Sequence, residues 1–244
     1  LFPYTTLFRS TCFRSNDWSN VRAQGDGRVQ LRGCGLHGAL KNNGLSAYGR
    51  CSWACADACS FSSNQGANVC AAVGGHVELG GCTCDDGMAC GLAVFDPGSC
   101  ATAHASSFSC NQRHNVQVRS GGKVSLQNCK CEGSRGAGGV VVFERGSTAT
   151  AISCSLCGNF QDNAHAQGGG VVQLHGCQCK RSVAGWGMKA LGRGSRVVAD
   201  RSTRCDATLN NSGSVYPLGF SHLYLISLGL CGELCGDVVH VRCE

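Results

Sequence analysis

Proline is almost absent, with 3 residues in 244, and methionine and tryptophan are nearly as rare at 2 and 3. Charged side chains make up only 15%, against roughly 25% in an ordinary soluble domain. A disordered polyelectrolyte is excluded, because it needs high charge and few apolar residues, and 43% of this chain is hydrophobic. Collagen is excluded by the shortage of proline. Aromatics stand at 7%, too few to stack bases in series, and no motif for reading DNA or RNA occurs, so nucleic acid is not an expected partner. No apolar run approaches the ~18 residues of a membrane span. No cofactor is expected. What the chain has instead is glycine, 36 residues, and cysteine, 21. Glycine costs about 1 kcal/mol per helical position relative to alanine, which argues against a helical bundle. A β protein with a recurring need for turns remains.

The turns recur with a fixed step. Gly121-Gly122-Lys123-Val124-Ser125-Leu126-Gln127-Asn128-Cys129-Lys130-Cys131 returns as Gly169-Gly170-Val171-Val172-Gln173-Leu174-His175-Gly176-Cys177-Gln178-Cys179. An earlier copy runs from Gly74 to Cys84, and a weaker one from Gly27 to Cys34. A sister unit, best seen at Gly146–Leu156, lies between the copies. The anchors Cys34, Cys59, Cys82, Ser106, Cys129, Cys154, Cys177 and Ser202 are 23–25 residues apart. A ninth copy is expected at Leu223, Leu225, Leu228 and Leu230. Within a step the apolar positions alternate, as in a strand with one buried face. Ala164 and Ala166, Val172 and Leu174, then Cys177 and Cys179 mark three such strands. They are too short for hairpins with one another. Coiling the chain lets each pair in parallel with its counterpart one step on, ~4.8 Å away.

This pattern resembles the right-handed parallel β-helix family of the pectate-lyase-like, carbohydrate-binding-and-hydrolysis type. The expected fold is all-β: a single right-handed parallel β-helix of about nine coils over residues 27–230. A leucine-rich repeat is the rival solenoid, but leucine is too sparse here. Residues 16–26 read as a lead-in and residues 231–244 as a truncated coil. Residues 1–10, LFPYTTLFRS, resemble the in-frame translation of a sequencing adapter, and the resemblance reaches Ser15. They are expected to lie outside the repeat register and to dock on nothing. With no initiating Met, the chain is expected to be a fragment, and no compartment is assigned. Asn64, Asn111 and Asn159 fall five residues after their anchors; left-handed turn positions are the favoured reading, ahead of a continuous amide ladder.

The cysteines follow the repeat. Six occupy the anchor column, and Cys84, Cys131 and Cys179 lie two residues on. Strand parity makes these interior stacks of small side chains. Disulfides between stacked neighbours are a second reading. Metal ligation is a third, weakened by the C-x-C spacing, which is not that of zinc sites; no metal is expected. Cys154 and Cys157 form a lone CxxC.

The resemblance implies chemistry on outward side chains of neighbouring coils: Ca²⁺ with carboxylates and a cationic base in lyases, clustered Asp in hydrolases. Only 15 acids are present, and no three of them converge on the repeat. Glu78 faces Gln30 and Ser125 in its column, and Asp85 and Asp86 share a corner two coils from the matching Glu132. One pair qualifies as a weak catalytic candidate: His175 and Asp200, neighbours on adjacent coils, could act as a general base or simply form a surface ion pair. Charge is uneven. Residues 113–204 hold 13 Lys or Arg against 4 acids, while residues 50–100 hold one Arg against five acids. Arg50, Arg145 and Arg193 share a corner with Pro97, and Arg119 lies one coil before Arg145 and one residue off register. Lys123 and Arg196 share another column. The expected function is a non-catalytic scaffold or binding surface, with Arg145, Arg193 and Arg119 as ligand-binding candidates and an acidic polysaccharide or another protein as partner. The alternative is a polysaccharide lyase, hydrolase or epimerase of the same fold.

Overall fold

A computed structural model describes residues 5–205, together with the strand backbones of Val215–Leu218 and His222–Leu225. All strand pairing is parallel. One sheet stacks ten strands from Thr5–Arg9 to His222–Leu225, and a second stacks nine from Val21–Gln24 to Val215–Leu218. The third layer has a four-stranded and a three-stranded part, joined through single bridges at Ser107 and Lys130. Each coil crosses all three layers, although the coils of Ser107 and Lys130 enter the third by a single bridged residue. Lys123–Gln127, for example, lies between Cys100–His104 and Thr148–Ile152 in the long sheet. This is the expected solenoid. The degenerate ninth copy is in register too, with Leu223 opposite Val197 and Leu225 opposite Ala199. Leu228, Leu230 and residues 231–244 lie outside the described residues.

Parity puts the core where the alternation predicts it. Val77, Val124, Val172, Ala149 and Ala151 are buried, while Lys123, Ser125 and Gln173 are exposed. Ala149 sits between Val124 and Val172, and Ala151 between Leu126 and Leu174. Large and small side chains therefore alternate along the axis, as a close-packed narrow interior requires.

The repeat unit is two coils, and the corners explain why. Before each strand of the long sheet stands Gly27, Ser52, Gly75, Ser99, Gly122, Ser147, Gly170 or Ser195 in turn. The serine hydroxyls cross to the neighbouring coil: Ser99, Ser147 and Ser195 accept the N–H of Gly74, Gly121 and Gly169 at 2.8, 2.9 and 3.0 Å. The intervening positions have no room for a side chain, since a Cβ on Gly170 would lie 2.6 Å from the Val142 carbonyl oxygen.

A second corner carries asparagines in pairs. The amides join Asn16 to Asn20, Asn20 to Asn64, Asn64 to Asn68, Asn68 to Asn111, Asn111 to Asn115, Asn115 to Asn159 and Asn159 to Asn163, at 2.8–3.2 Å. This continuous ladder corrects the expectation of simple left-handed turns. None of Asn64, Asn111 and Asn159 has positive φ; Ser63, Cys110 and Gly158, just before them, do. The ladder bridges alternate coils because a second set, Asn68, Asn115 and Asn163, supplies the missing rungs. The coils between contribute glycine: a Cβ on Gly91 would lie 2.7 Å from Asn111 Nδ2 and 2.8 Å from the Asn115 carbonyl oxygen.

Two further expectations change. Thr5–Arg9 pairs residue for residue with Arg28–Arg32, and Cys12–Arg14 with Gly35–His37. Phe8 and Phe13 meet edge to face at 5.2 Å and pack against the core. The segment thus docks in register, with Phe8 turned to the core and Leu7 left exposed. The last anchor is Thr203, not Ser202. Gln178 pairs with Arg204, and Thr203 Oγ1 accepts the Cys177 N–H at 3.3 Å. One extra residue follows Asp200.

The anchor column tolerates Cys, Ser and Thr for one reason. Each carries a γ-hydrogen that reaches a backbone carbonyl while the γ-atom faces a neighbouring N–H. Cys59 Sγ donates to the Asp57 carbonyl at 3.2 Å and accepts the Cys34 N–H at 3.3 Å. Ser106 Oγ makes the same two bonds, to the His104 carbonyl and the Cys82 N–H, at 2.9 and 3.1 Å. Two residues on, Cys84, Cys131 and Cys179 are fully buried beside Phe61, Phe108 and Leu156. Burial pushes those three thiols well above their ordinary range. They pack as small apolar side chains.

Candidate functional site

Arg145 and Arg193 are exposed at the turn leading into the long sheet. Gly169 lies between them; a Cβ there would meet Arg145 Cβ at 3.2 Å. The two backbones are therefore two coils apart, about 10 Å, with no side chain in the gap. Among the described residues neither guanidinium has an ion-pair partner. Arg119 is also exposed, but its guanidinium carbon sits 4.4 Å over the Phe95 ring. It is held on the neighbouring strand face rather than in line with the other two. Lys123 and Arg196 share a column three coils apart.

His175 and Asp200 do meet, at 3.4 Å between Nδ1 and Oδ2, with side chains 47% and 31% exposed. The other oxygen of Asp200 has a different task. Oδ1 accepts the N–H of Gly176, Ser202 and Thr203 at 3.1, 3.2 and 3.0 Å, and both hydroxyls at 2.9 and 3.0 Å. Slight burial works to raise its pKa, but these donors outweigh it and hold the carboxyl down at about 2. Asp200 closes the turn that absorbs the extra residue.

Several other acids are engaged as well. Asp86 pairs with Arg135 at 2.6 Å, Asp85 accepts the Ser109 N–H at 2.7 Å, and Glu132 accepts the Ser155 hydroxyl. Among the described residues no three His, Cys, Asp or Glu side chains are arranged to hold a metal ion.

Two clusters escaped sequence reasoning. On the long sheet, Glu78 neighbours Cys55 and Thr102 rather than Gln30 and Ser125. His76, on the same strand, touches both Glu78 and Cys100. Beside them lies a shallow depression of about 540 Å³ over Gly80, lined by Arg32, Asp57, Glu78, His104 and Gln127. Counting register through every coil, 23–25 residues at a time, would have found the cluster; following alternate coils hid it. On the nine-stranded sheet, His165 Nδ1 lies 3.0 Å from Asp162 Oδ2, with Lys189 Nζ 3.7 Å from the same oxygen. His114 lies across Phe143 from His165. Burial, His165 and Arg113 lower its pKa to about 4.

No helix among the described residues is long and apolar enough to cross a membrane. No curated protein matches the chain. The family model for the right handed beta helix region matches residues 4–156, more than half of the sequence and the same coils that stack in register here, so the chain belongs to the right-handed β-helix family.

Proposed function

We propose that this β-helix is a binding scaffold for an acidic polysaccharide, engaged along the corner that carries Arg145 and Arg193. The observation that supports the reading is the pair itself: two exposed guanidinium groups at equivalent corners of a rigid stack, without an ion-pair partner among the described residues and with glycine between them. A line of fixed cations suits a polymer bearing regularly spaced carboxylates or sulfates, which guanidinium binds through two parallel hydrogen bonds. The excess of Lys and Arg over residues 113–204 adds long-range attraction. Fold alone does not assign function, and no turnover of the polymer is invoked.

The test is affinity for polygalacturonate against a neutral glucan over a salt series. Exposed charges are screened within ~8–10 Å at 0.1–0.15 M salt. Binding should therefore favour polygalacturonate, weaken with salt, and fall further in the Arg145→Ala, Arg193→Ala double variant. Equal binding of both polymers, or undiminished binding by the variant, refutes the proposal. Release of shortened or unsaturated sugar would favour a lyase or hydrolase instead.

A further inference from the structure

The first outward position on four successive strands of the long sheet reads Trp53, His76, Cys100 and Lys123. Neighbours in this column are about 4.8 Å apart at the backbone. His76 Nδ1 lies 2.7 Å from Cys100 Sγ, and His76 Nε2 lies 2.9 Å from Glu78 Oε1. The same carboxylate oxygen accepts Trp53 Nε1–H at 3.1 Å. With Nε2–H donated to Glu78, Nδ1 is left as the acceptor that faces the thiol. Sulfur and carboxylate lie against different ring nitrogens, so the three cannot converge on one metal ion. The order is that of a nucleophile, a base and a group that orients the base. The site is open: the side chains of His76 and Glu78 are 34% and 44% exposed.

We propose that Cys100 is a nucleophilic thiol that takes an acyl group from an ester, with His76 as its general base and Glu78 as the positioning residue. Cys100 Sγ attacks the carbonyl carbon as its proton passes to His76 Nδ1. The carbon–oxygen bond to the leaving alcohol breaks, and that oxygen takes the proton back from His76. The products are a Cys100 thioester and a free alcohol. Water, deprotonated by His76, then releases the carboxylic acid and restores the thiol. Burial and Glu78 raise the Cys100 thiol, and Lys123 works against them. The thiolate is therefore generated during attack rather than stored. The depression lined by Glu78 and Thr102 begins two residues along the strands from His76 and Cys100. The inference does not rest on polysaccharide binding, which is placed on other residues.

The probe is p-nitrophenyl acetate with the full chain, read as acetylation of individual cysteines by peptide mass spectrometry. Exposed Cys12 and Cys51 are internal controls. Cys100 should acetylate at least about a hundredfold faster than either, the lower end of general-base assistance. His76→Asn should remove that advantage. Glu78→Gln should reduce it by a smaller factor while the fold, checked by circular dichroism, is unchanged. Cys100→Ser should abolish any burst of p-nitrophenolate. A Cys100 that reacts no faster than Cys51, or that keeps its advantage in His76→Asn, overturns the proposal.

Discussion

The asparagine corner and the arginine corner follow the same two-coil rhythm with opposite outcomes. Both set glycine on the coils between longer side chains, although Pro97 takes the position between Arg50 and Arg145 at the second corner. At the first corner the amides turn inward, and from Asn64 to Asn163 they are fully buried. Asn111 alone serves the Gly87 N–H, the Cys84 carbonyl, Asn68 and Asn115. At the second the Arg145 and Arg193 side chains are exposed, and among the described residues neither has an ion-pair partner. Glycine makes room for a ladder in one case and separates charges in the other. A shared period is thus evidence of stacking, and it does not say whether a column holds the fold together or presents a surface.

The sharpest way to break this contrast is to remove a rung. Asn111→Ala strands several buried donors and acceptors, each costing roughly 1–3 kcal/mol, so a loss of about 4 kcal/mol is expected by urea unfolding. Filling the gap should do nearly as much. Gly91→Ala forces a methyl against a carbonyl and an amide, and about 3 kcal/mol of destabilisation is expected from such overpacking; calorimetry would register it as a lowered Tm.

A smaller effect should appear with pH. His114 is held neutral in the fold down to about pH 4, whereas an unfolded histidine takes its proton near pH 6.5. The unfolded state therefore binds more protons between those values, and stability should decline as pH falls from about 6.5 to 4, then level off with respect to this group. His114→Gln should flatten that part of a Tm-against-pH curve. Below about pH 4, loss of the Asp200 carboxylate should add a further decline toward pH 2, since its folded pKa lies below that of an unfolded Asp. The smallest stability change belongs to the arginine corner: Arg145→Ala with Arg193→Ala should stay within about 0.5 kcal/mol while weakening polymer binding.

Much of the fold was legible because alternation and spacing act locally. Val124, Leu126 and Cys129 declare one face, and a 23–25-residue step leaves parallel stacking as the way to bury it. The asparagine ladder was only half legible. Asn64, Asn111 and Asn159 could be seen five residues past their anchors, but Asn68, Asn115 and Asn163 belong to the next strand's approach. Only three-dimensional closure of the corner brings the two sets together. The shift from Ser202 to Thr203 hinged on one extra residue, which spacing does not distinguish from an irregular step. Docking of residues 5–14 was not legible because the adjacent apolar Leu7 and Phe8 break the alternation, and only pairing with Arg28–Arg32 shows Phe8 turned inward. The Cys100, His76 and Glu78 cluster was hidden by reading alternate coils as neighbours, whereas hydrogen bonding joins every coil to the next.

Equilibrium urea unfolding of Asn111→Ala beside the Arg145→Ala, Arg193→Ala double variant tests the contrast most directly. The asparagine variant should lose about 4 kcal/mol and the arginine variant no more than about 0.5 kcal/mol. Losses of similar size at the two corners would contradict the division between a corner that holds the coils together and one that is free to bind.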